Sequence, residues 1–312
     1  MRWSYSASRT FRKCQRQWYF KSIVANGRAK DPLRRRAHLL SKLQTLSAWR
    51  GQIVDDIISK VIVPGVNRGT PVMLSSVKVL ARELYERQLN FALEHPINDP
   101  NLRVGEEGDD FCLLYTMEYG PRPSDGELDH AWDEIEQALV NLYEMDAIRT
   151  ALKTSSFVAA QRPLNVPLID GVTASARPDV IAFQRGAPPI IIDWKVHALA
   201  ENDAWLQLAT YAIVLSRCKH KDFPEDFECR PEHIRLLEVQ LLTGLVREHA
   251  LDIDLIEEAE DYAVESAYEM HCLVDERKSV DVEIEDFLPA SSAETCQACQ
   301  FRSLCWEKVN AH

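Results

Sequence analysis

RPDVIAFQRGAPPIIIDWKV, residues 177–196, holds two apolar runs separated by a turn. Val180–Phe183 and Ile190–Ile192 are β-branched and aromatic, a composition that suits strands buried in a sheet. Between them, Gln184–Pro189 contains one Gly and two Pro, which is turn chemistry. Polar residues stand at the strand ends: Asp179 before the first strand, Asp193 and Lys195 on either side of Trp194 after the second. Residues two apart in a strand share a face, so Asp193 and Lys195 project together. A hairpin brings Asp179 beside them. Two carboxylates and an ammonium then converge at the edge of an apolar sheet, and burying them is costly unless a cation and a substrate join them.

Such a cluster suits a divalent metal, because carboxylates supply hard oxygen ligands and Mg²⁺ keeps several waters beside them. A metal there lowers the pKa of a bound water and polarises a phosphoryl oxygen. The lysine can orient that water or stabilise charge developing on the phosphate. The competing reading is a surface hairpin with an ordinary ion pair, since Asp-x-Lys is common by chance. The next segment, Ala204–Ser216, has the pattern of a helix. Gln207 and Tyr211 are four apart and share a face of it.

Pro178-Asp179, then Asp193-x-Lys195, then Gln207-x-x-x-Tyr211 in this order resemble the PD-(D/E)xK nuclease superfamily, specifically its RecB-type branch. The resemblance implies that Asp179 and Asp193 bind metal and Lys195 is catalytic. It also implies that Gln207 and Tyr211 shape the site and contact nucleic acid. Gly51-Gln52-Ile53-Val54-Asp55-Asp56 occupies the place of the family's first active-site motif, Gly-x-x-x-His, with Asp55 where the family has a metal-binding His. A carboxylate can still ligate Mg²⁺ or Mn²⁺, so Asp55 is a candidate third ligand; the alternative is a plain surface acid.

The remaining composition narrows the class. No run of about 18 apolar residues occurs, so no membrane span is expected, and the N-terminus lacks the apolar stretch of a secretory signal. Eight scattered cysteines in 312 residues fit a reducing, cytoplasmic setting better than a disulfide scaffold. The net charge of −12 is unevenly spread. Residues 1–50 hold 13 Lys and Arg against the single acid Asp31, a local +12, and the other residues carry −24. A basic segment on an acidic body suits local phosphate binding. No Gly-x-x-x-x-Gly-Lys-Ser/Thr, His-Glu-x-x-His or Gly-x-Ser-x-Gly occurs, so an ATP motor is not expected, and any strand separation falls to a helicase or another defence or repair protein.

Residues 5–23 have the pattern of a helix capped by Ser6 or Ser8, with Cys14, Trp18 and Tyr19 among basic residues that could grip a single strand, or that simply form core. Residues 32–62 read as helix with a break near Ser47, and 73–95 and 127–153 as two more helices. Residues 96–126 read as loop, with Cys112 in an apolar, core-like patch. Phe157–Ile169 and Val172 onward read as a hairpin across Asp170-Gly171, 234–242 and 245–251 as another, and 253–276 as an acidic helix. Cys296-x2-Cys299 and Cys305 leave a tetrahedral site one ligand short, and Cys14 is the obvious fourth. This pattern resembles the iron–sulfur staple of the AddB nuclease subunit and of CRISPR-associated RecB-type nucleases. By ligand type alone, [4Fe–4S] and Zn²⁺ fit equally.

The expected architecture is therefore α/β, a restriction-endonuclease-like mixed sheet flanked by helices. Residues 1–29 give the N-terminal helix with the first cluster ligand, 30–153 a helical insertion carrying Asp55, and 154–312 the nuclease core and cysteine cluster. The expected activity is metal-dependent hydrolysis of DNA with a single-stranded portion. The alternative is a non-catalytic DNA-binding or scaffolding subunit, for which Asp55 in place of the His is the main support.

Overall fold

The structure is a computed structural model, and it describes all residues except 96, 98, 100–101, 197–203, 225–228, 275–281 and 310–312. The first part of the chain runs through β1 (Arg2–Trp3), α1 (Tyr5–Lys13), α2 (Gln15–Tyr19), α3 (Pro32–Leu40), β2 (Leu43–Gln44) and α4 (Leu46–Ile57). Then come α5 (Val63–Asn67), α6 (Leu74–Glu94), α7 (Val104–Glu107), β3 (Leu113–Leu114), α8 (Tyr115–Tyr119), α9 (Asp125–Glu144) and α10 (Asp146–Thr154). Strands follow: β4 (Phe157–Ala160), β5 (Leu164–Ile169), β6 (Val172–Ala176), β7 (Val180–Gln184) and β8 (Ala187–Lys195). The chain closes with α11 (Ala204–Arg217), β9 (Arg235–Gln240), β10 (Leu245–His249), α12 (Ile253–Cys272), α13 (Ala293–Gln297) and α14 (Arg302–Val309).

These elements form two compact units that interleave along the chain. The first comprises Met1–Trp3, Ser47–Tyr85 and Ser124–Glu265; the second comprises Ser4–Leu46, Glu86–Pro123 and Ser266–His312. The boundaries at 29/30 and 153/154 divide the chain by sequence pattern, and the units divide it by packing.

In the first unit a five-stranded sheet has the order β10-β9-β8-β7-β4. All its pairings are antiparallel except β8 with β9. A second sheet has the order β1-β6-β5, with β1 parallel to β6. The hairpin of 177–196 is central: Val180 pairs with Ile192 and Ile181 with Ile191, and β8 is then flanked on its other side by β9. A strand with neighbours on both edges and cover on both faces needs an unbroken apolar run, and Ile190 to Trp194 are all buried. The charged Asp193 is carried in with them, 2% exposed. Helix α11 packs on β5, β6, β8 and β9.

Phe157–Ile169 is two strands rather than one. β4 pairs with β7 in the large sheet and β5 with β6 in the small one. The break falls at Gln161, whose φ is 50°, followed by Arg162 and Pro163; Pro163 has no N–H for a ladder. Other elements also differ from expectation: the helix expected over 5–23 is broken at Cys14, whose backbone is extended, and 96–126, expected as loop, holds α7, β3 and α8. The cap of α1 is Ser4, whose hydroxyl accepts from Ala7 N, in place of Ser6 or Ser8. The break in 32–62 lies at 41–45, where the Ser41 hydroxyl turns back onto the His38 carbonyl and closes α3. The segment 127–153 is split at Met145, whose backbone is extended. The expected acidic helix over 253–276 is α12, and residues 275–276 of that expectation lie outside the described residues.

In the second unit, Phe20, Leu40, Phe91, Leu113, Phe301 and Leu304 belong to one apolar core. The chain's first and last helical segments meet there. Phe20 stacks on Phe301 at 5.6 Å, Arg16 N donates to the Leu288 carbonyl, and Leu288 N donates to Gln15 Oε1. Cys112 is buried in apolar surroundings that push its thiol up to about 12, as expected of a core residue.

Candidate active site

Within the first unit the end of the 177–196 hairpin, α4 and α11 bring six sequence-predicted residues together. Asp179 precedes β7, and its Oδ2 accepts from the backbone N–H of Trp194 on the neighbouring strand at 2.8 Å. That bond fixes the carboxylate across the hairpin. Asp193 and Lys195 share a face of β8 two residues apart and are ion-paired through Asp193 Oδ2. From α11, the Gln207 amide donates to Asp193 Oδ1 at 3.2 Å and to the Tyr211 hydroxyl at 2.6 Å, as the four-residue spacing allows. Asp55 is brought in by α4.

The residue that joins Asp55 to the rest is one the sequence reading missed. Gln161 donates from Nε2 to Asp55 Oδ1 at 3.0 Å and to Asp179 Oδ1 at 2.8 Å. Its backbone N–H donates to the Asp179 carbonyl at 2.9 Å. It is the one non-glycine residue with positive φ among those described, a conformation that persists only where the surroundings over-determine it. The signal in the sequence is faint: a polar residue before Arg-Pro inside an otherwise apolar run. A second missed group is Glu238 on β9, in register with Asp193 across the parallel pair. It is 4% exposed and is held by Gln240 Nε2 at 2.7 Å and His249 Nε2 at 3.1 Å.

The electrostatics record the crowding. Burial, then the Asp193 and Asp55 charges, hold the Asp179 carboxyl well above the usual carboxylate range. Burial above all pushes Asp55 up to about 6, with Asp56 and Asp193 adding to it and the Gln161 bond working against it. For Lys195 burial works against the charged form, but Asp193, Asp179 and Glu238 outweigh it and raise the ammonium above its ordinary value. Tyr211 is also raised, by burial first and then by Asp193 and Asp179, so it stands as a neutral hydroxyl.

Among the described residues no group of three or more His, Cys, Asp or Glu side chains is arranged to hold a metal ion. At this site the Gln161 amide donates to Asp55 and Asp179, and the Lys195 ammonium pairs with Asp193. By side-chain type the donors are those a hard divalent cation takes: three carboxylates close enough that Asp55 and Asp193 both raise the Asp179 pKa.

The four predicted cysteine ligands lie together in the second unit. Cys14, Cys296, Cys299 and Cys305 line one cavity of about 30 Å³, the size of a single small guest. Cys14 Sγ accepts from Gln17 N and Cys299 Sγ from Phe301 N, each at 3.4 Å. Burial, then the other three cysteines, raise Cys299 to about 11 against the Phe301 N–H. Burial also raises Cys305, opposed by the bond and charge of Arg16. All eight cysteines carry free thiols.

Several bases of the N-terminal segment are occupied internally. Arg34 donates to the carbonyls of Ile23 and Val24, Arg16 to that of Phe287, and buried Arg50 to that of Val196 while pairing with Glu134.

A mixed sheet whose central hairpin ends in paired aspartates and a lysine defines a class of phosphodiester-cleaving enzymes. The model of the PD-(D/E)XK nuclease superfamily matches residues 2–306, and the chain belongs to that superfamily. Its members typically use Mg²⁺ or Mn²⁺. No curated protein matches the chain. Among solved structures it is similar to SSO0001, at 15% identity and a TM-score of 0.32, over 74% of this chain and 97% of that one. No helix among the described residues is long and apolar enough to cross a membrane.

Proposed function

We propose that the chain is a divalent-metal-dependent deoxyribonuclease of the RecB-type branch, acting on DNA that presents a single strand or an end. The observation that carries this reading is the convergence of Asp55, Asp179 and Asp193 with Lys195 in one buried cluster. Asp179, Asp193 and Asp55 would hold Mg²⁺ or Mn²⁺. When bound, the cation supplies Lewis acidity toward a phosphoryl oxygen and a more acidic water.

The protein's own groups do the rest. The Trp194 N–H and the Gln161 amide fix the orientation of Asp179, and Gln207 fixes that of Asp193. Lys195, kept protonated by its carboxylate neighbours, places an N–H donor where the attacking water or the charge developing on phosphate is met. Tyr211, held neutral, keeps Gln207 in place through its hydroxyl.

In the second unit the donor set of Cys14, Cys296, Cys299 and Cys305 supports a structural [4Fe–4S] cluster. A zinc ion is the alternative, since four thiolates suit it equally by ligand type. Metal analysis of anaerobically purified protein decides between them.

The experiment is a cleavage assay on labelled single- and double-stranded DNA with Mg²⁺ or Mn²⁺, with a chelator control. Metal-dependent cleavage of DNA carrying a single-stranded portion is expected. Tight DNA binding without cleavage under either metal would turn the reading to a non-catalytic subunit of a nuclease complex, the role to which Asp55 in place of a family His points. A helicase or another defence or repair protein is the partner expected to supply strand separation.

A further inference from the structure

A sizeable cavity of the second unit lies in the part of the molecule that the proposed chemistry does not use. It has a volume of about 760 Å³, within the ordinary range for small-molecule sites. Arg28, Arg35, Arg36, His38, Lys42 and Arg103 line it, against two acids, Asp99 and Glu106. Leu39, Ile97 and Leu102, all buried members of the core, give it an apolar wall. The cavity therefore combines a cationic and an apolar lining.

Three details mark it as built rather than incidental. The backbone at Gly27 passes so near His38 that a Cβ at 27 would lie 2.7 Å from its Cδ2, so this wall admits only glycine without moving the ring. Arg36 reaches Glu307 at 3.5 Å through Nη1, while its Nε is buried with no hydrogen-bond partner. Leaving a buried donor unmet is costly, so Arg36 sits here at a cost. Positive charge is concentrated here. Burial, followed by the Lys42 ammonium, holds His38 below its usual range and does the same to Lys21.

We propose that this cavity binds a nucleotide unit, its phosphate held by Arg35, Arg36 and Lys42 and its less polar body packed against Leu39, Ile97 and Leu102. Guanidinium forks suit phosphate oxygens, and aliphatic side chains give the rest of the ligand a non-directional apolar surface. The occupant is either a free nucleotide or a nucleotide within a strand. The second source rests on the nuclease reading; the phosphate chemistry does not.

The test uses the full chain as purified; binding is read in buffer without added divalent ions, and cleavage separately with Mg²⁺ or Mn²⁺. Inorganic phosphate, a deoxynucleoside monophosphate and a short single-stranded oligonucleotide are titrated separately. The proteins compared are wild type, Arg35→Gln, Lys42→Gln and, as a control outside the cavity, Lys195→Ala. Each cavity variant is expected to weaken nucleotide-unit binding by about tenfold or more, the loss of one charge-assisted bond. If Arg35→Gln melts early, Lys42→Gln alone carries the test. Monophosphate binding that both variants weaken, with no competition from the oligonucleotide, assigns a free nucleotide. Oligonucleotide binding that both weaken assigns a strand. Wild-type affinity for every probe in both folded cavity variants overturns the proposal. Should wild type cleave no DNA while Arg35→Gln still loses monophosphate affinity, the nuclease reading falls and this site stands. Cleavage abolished by Lys195→Ala, with probe affinity indifferent to Arg35 and Lys42, has the reverse meaning.

Discussion

The carboxylates of the first unit and the thiols of the second are both crowded sets of metal-binding donors, and they are held in different ways. Each of Asp55, Asp179 and Asp193 is gripped by named side-chain or backbone donors: Gln161, the Trp194 N–H, Gln207 and Lys195. Their orientation is set by a sheet and two helices before any cation arrives. The cysteines have two backbone N–H groups and Arg16 between them, and the segments carrying them are joined independently by the Phe20–Phe301 stack and the Arg16–Leu288 bond. A site whose geometry is imposed from outside loses chemistry when a ligand is removed. A site that only adds a further clasp between segments already joined loses some stability instead, and leaves the other site's chemistry alone.

The largest effect separates the two sites directly. Lys195→Ala and Asp179→Asn are each expected to lower cleavage by about 10³ or more, the scale of removing a preorganised electrostatic group. DNA affinity should stay near wild type, which a binding assay under chelator checks.

Gln161 sharpens the contrast. Gln161→Ala should lower Mn²⁺ affinity, read by titration calorimetry, by about 10- to 100-fold, as for other groups that orient metal ligands. Gln161→Gly should lose the same affinity yet be the more stable of the two, because only glycine takes a φ of 50° without strain. Equal melting temperatures for the pair would remove strain from the account.

Cys299→Ser should act in the opposite sense. It should bleach or empty the metal site and lower Tm by several degrees, leaving specific activity per folded molecule unchanged.

The smallest effect concerns Arg34, which is committed to the carbonyls of Ile23 and Val24. Arg34→Ala should cost about 1 kcal/mol of stability, measured by denaturant unfolding. The salt slope of DNA binding should not change, whereas loss of a phosphate-contacting base lowers it.

Much of the first unit was legible in the sequence because its signals are short-range. Two apolar runs around a Gly/Pro turn define a hairpin, and residues two apart on a strand or four apart on a helix must share a face. Those periods pair Asp193 with Lys195 and Gln207 with Tyr211, the hairpin brings Asp179 to Asp193, and the resemblance to the nuclease superfamily joined them into one candidate site. Gln161 did not follow. Its role depends on a break between two sheets, where one residue leaves the strand with positive φ and reaches two carboxylates, 106 and 18 positions away. Glu238 was hidden for a similar reason: its place beside Asp193 comes from a parallel pairing, and no local pattern fixes that register. The basic N-terminal segment was legible as charge but not as use, since Arg16, Arg34 and Arg50 spend their donors on backbone carbonyls.

The most direct test of the account compares Asp193→Asn with Cys299→Ser in one Mn²⁺-dependent cleavage assay on single-stranded DNA, at matched concentrations of folded protein. The account predicts that Asp193→Asn abolishes cleavage while keeping the fold, and that Cys299→Ser keeps wild-type specific activity while melting at a lower temperature. Wild-type cleavage by Asp193→Asn, or abolished cleavage by a fully folded Cys299→Ser, would contradict it.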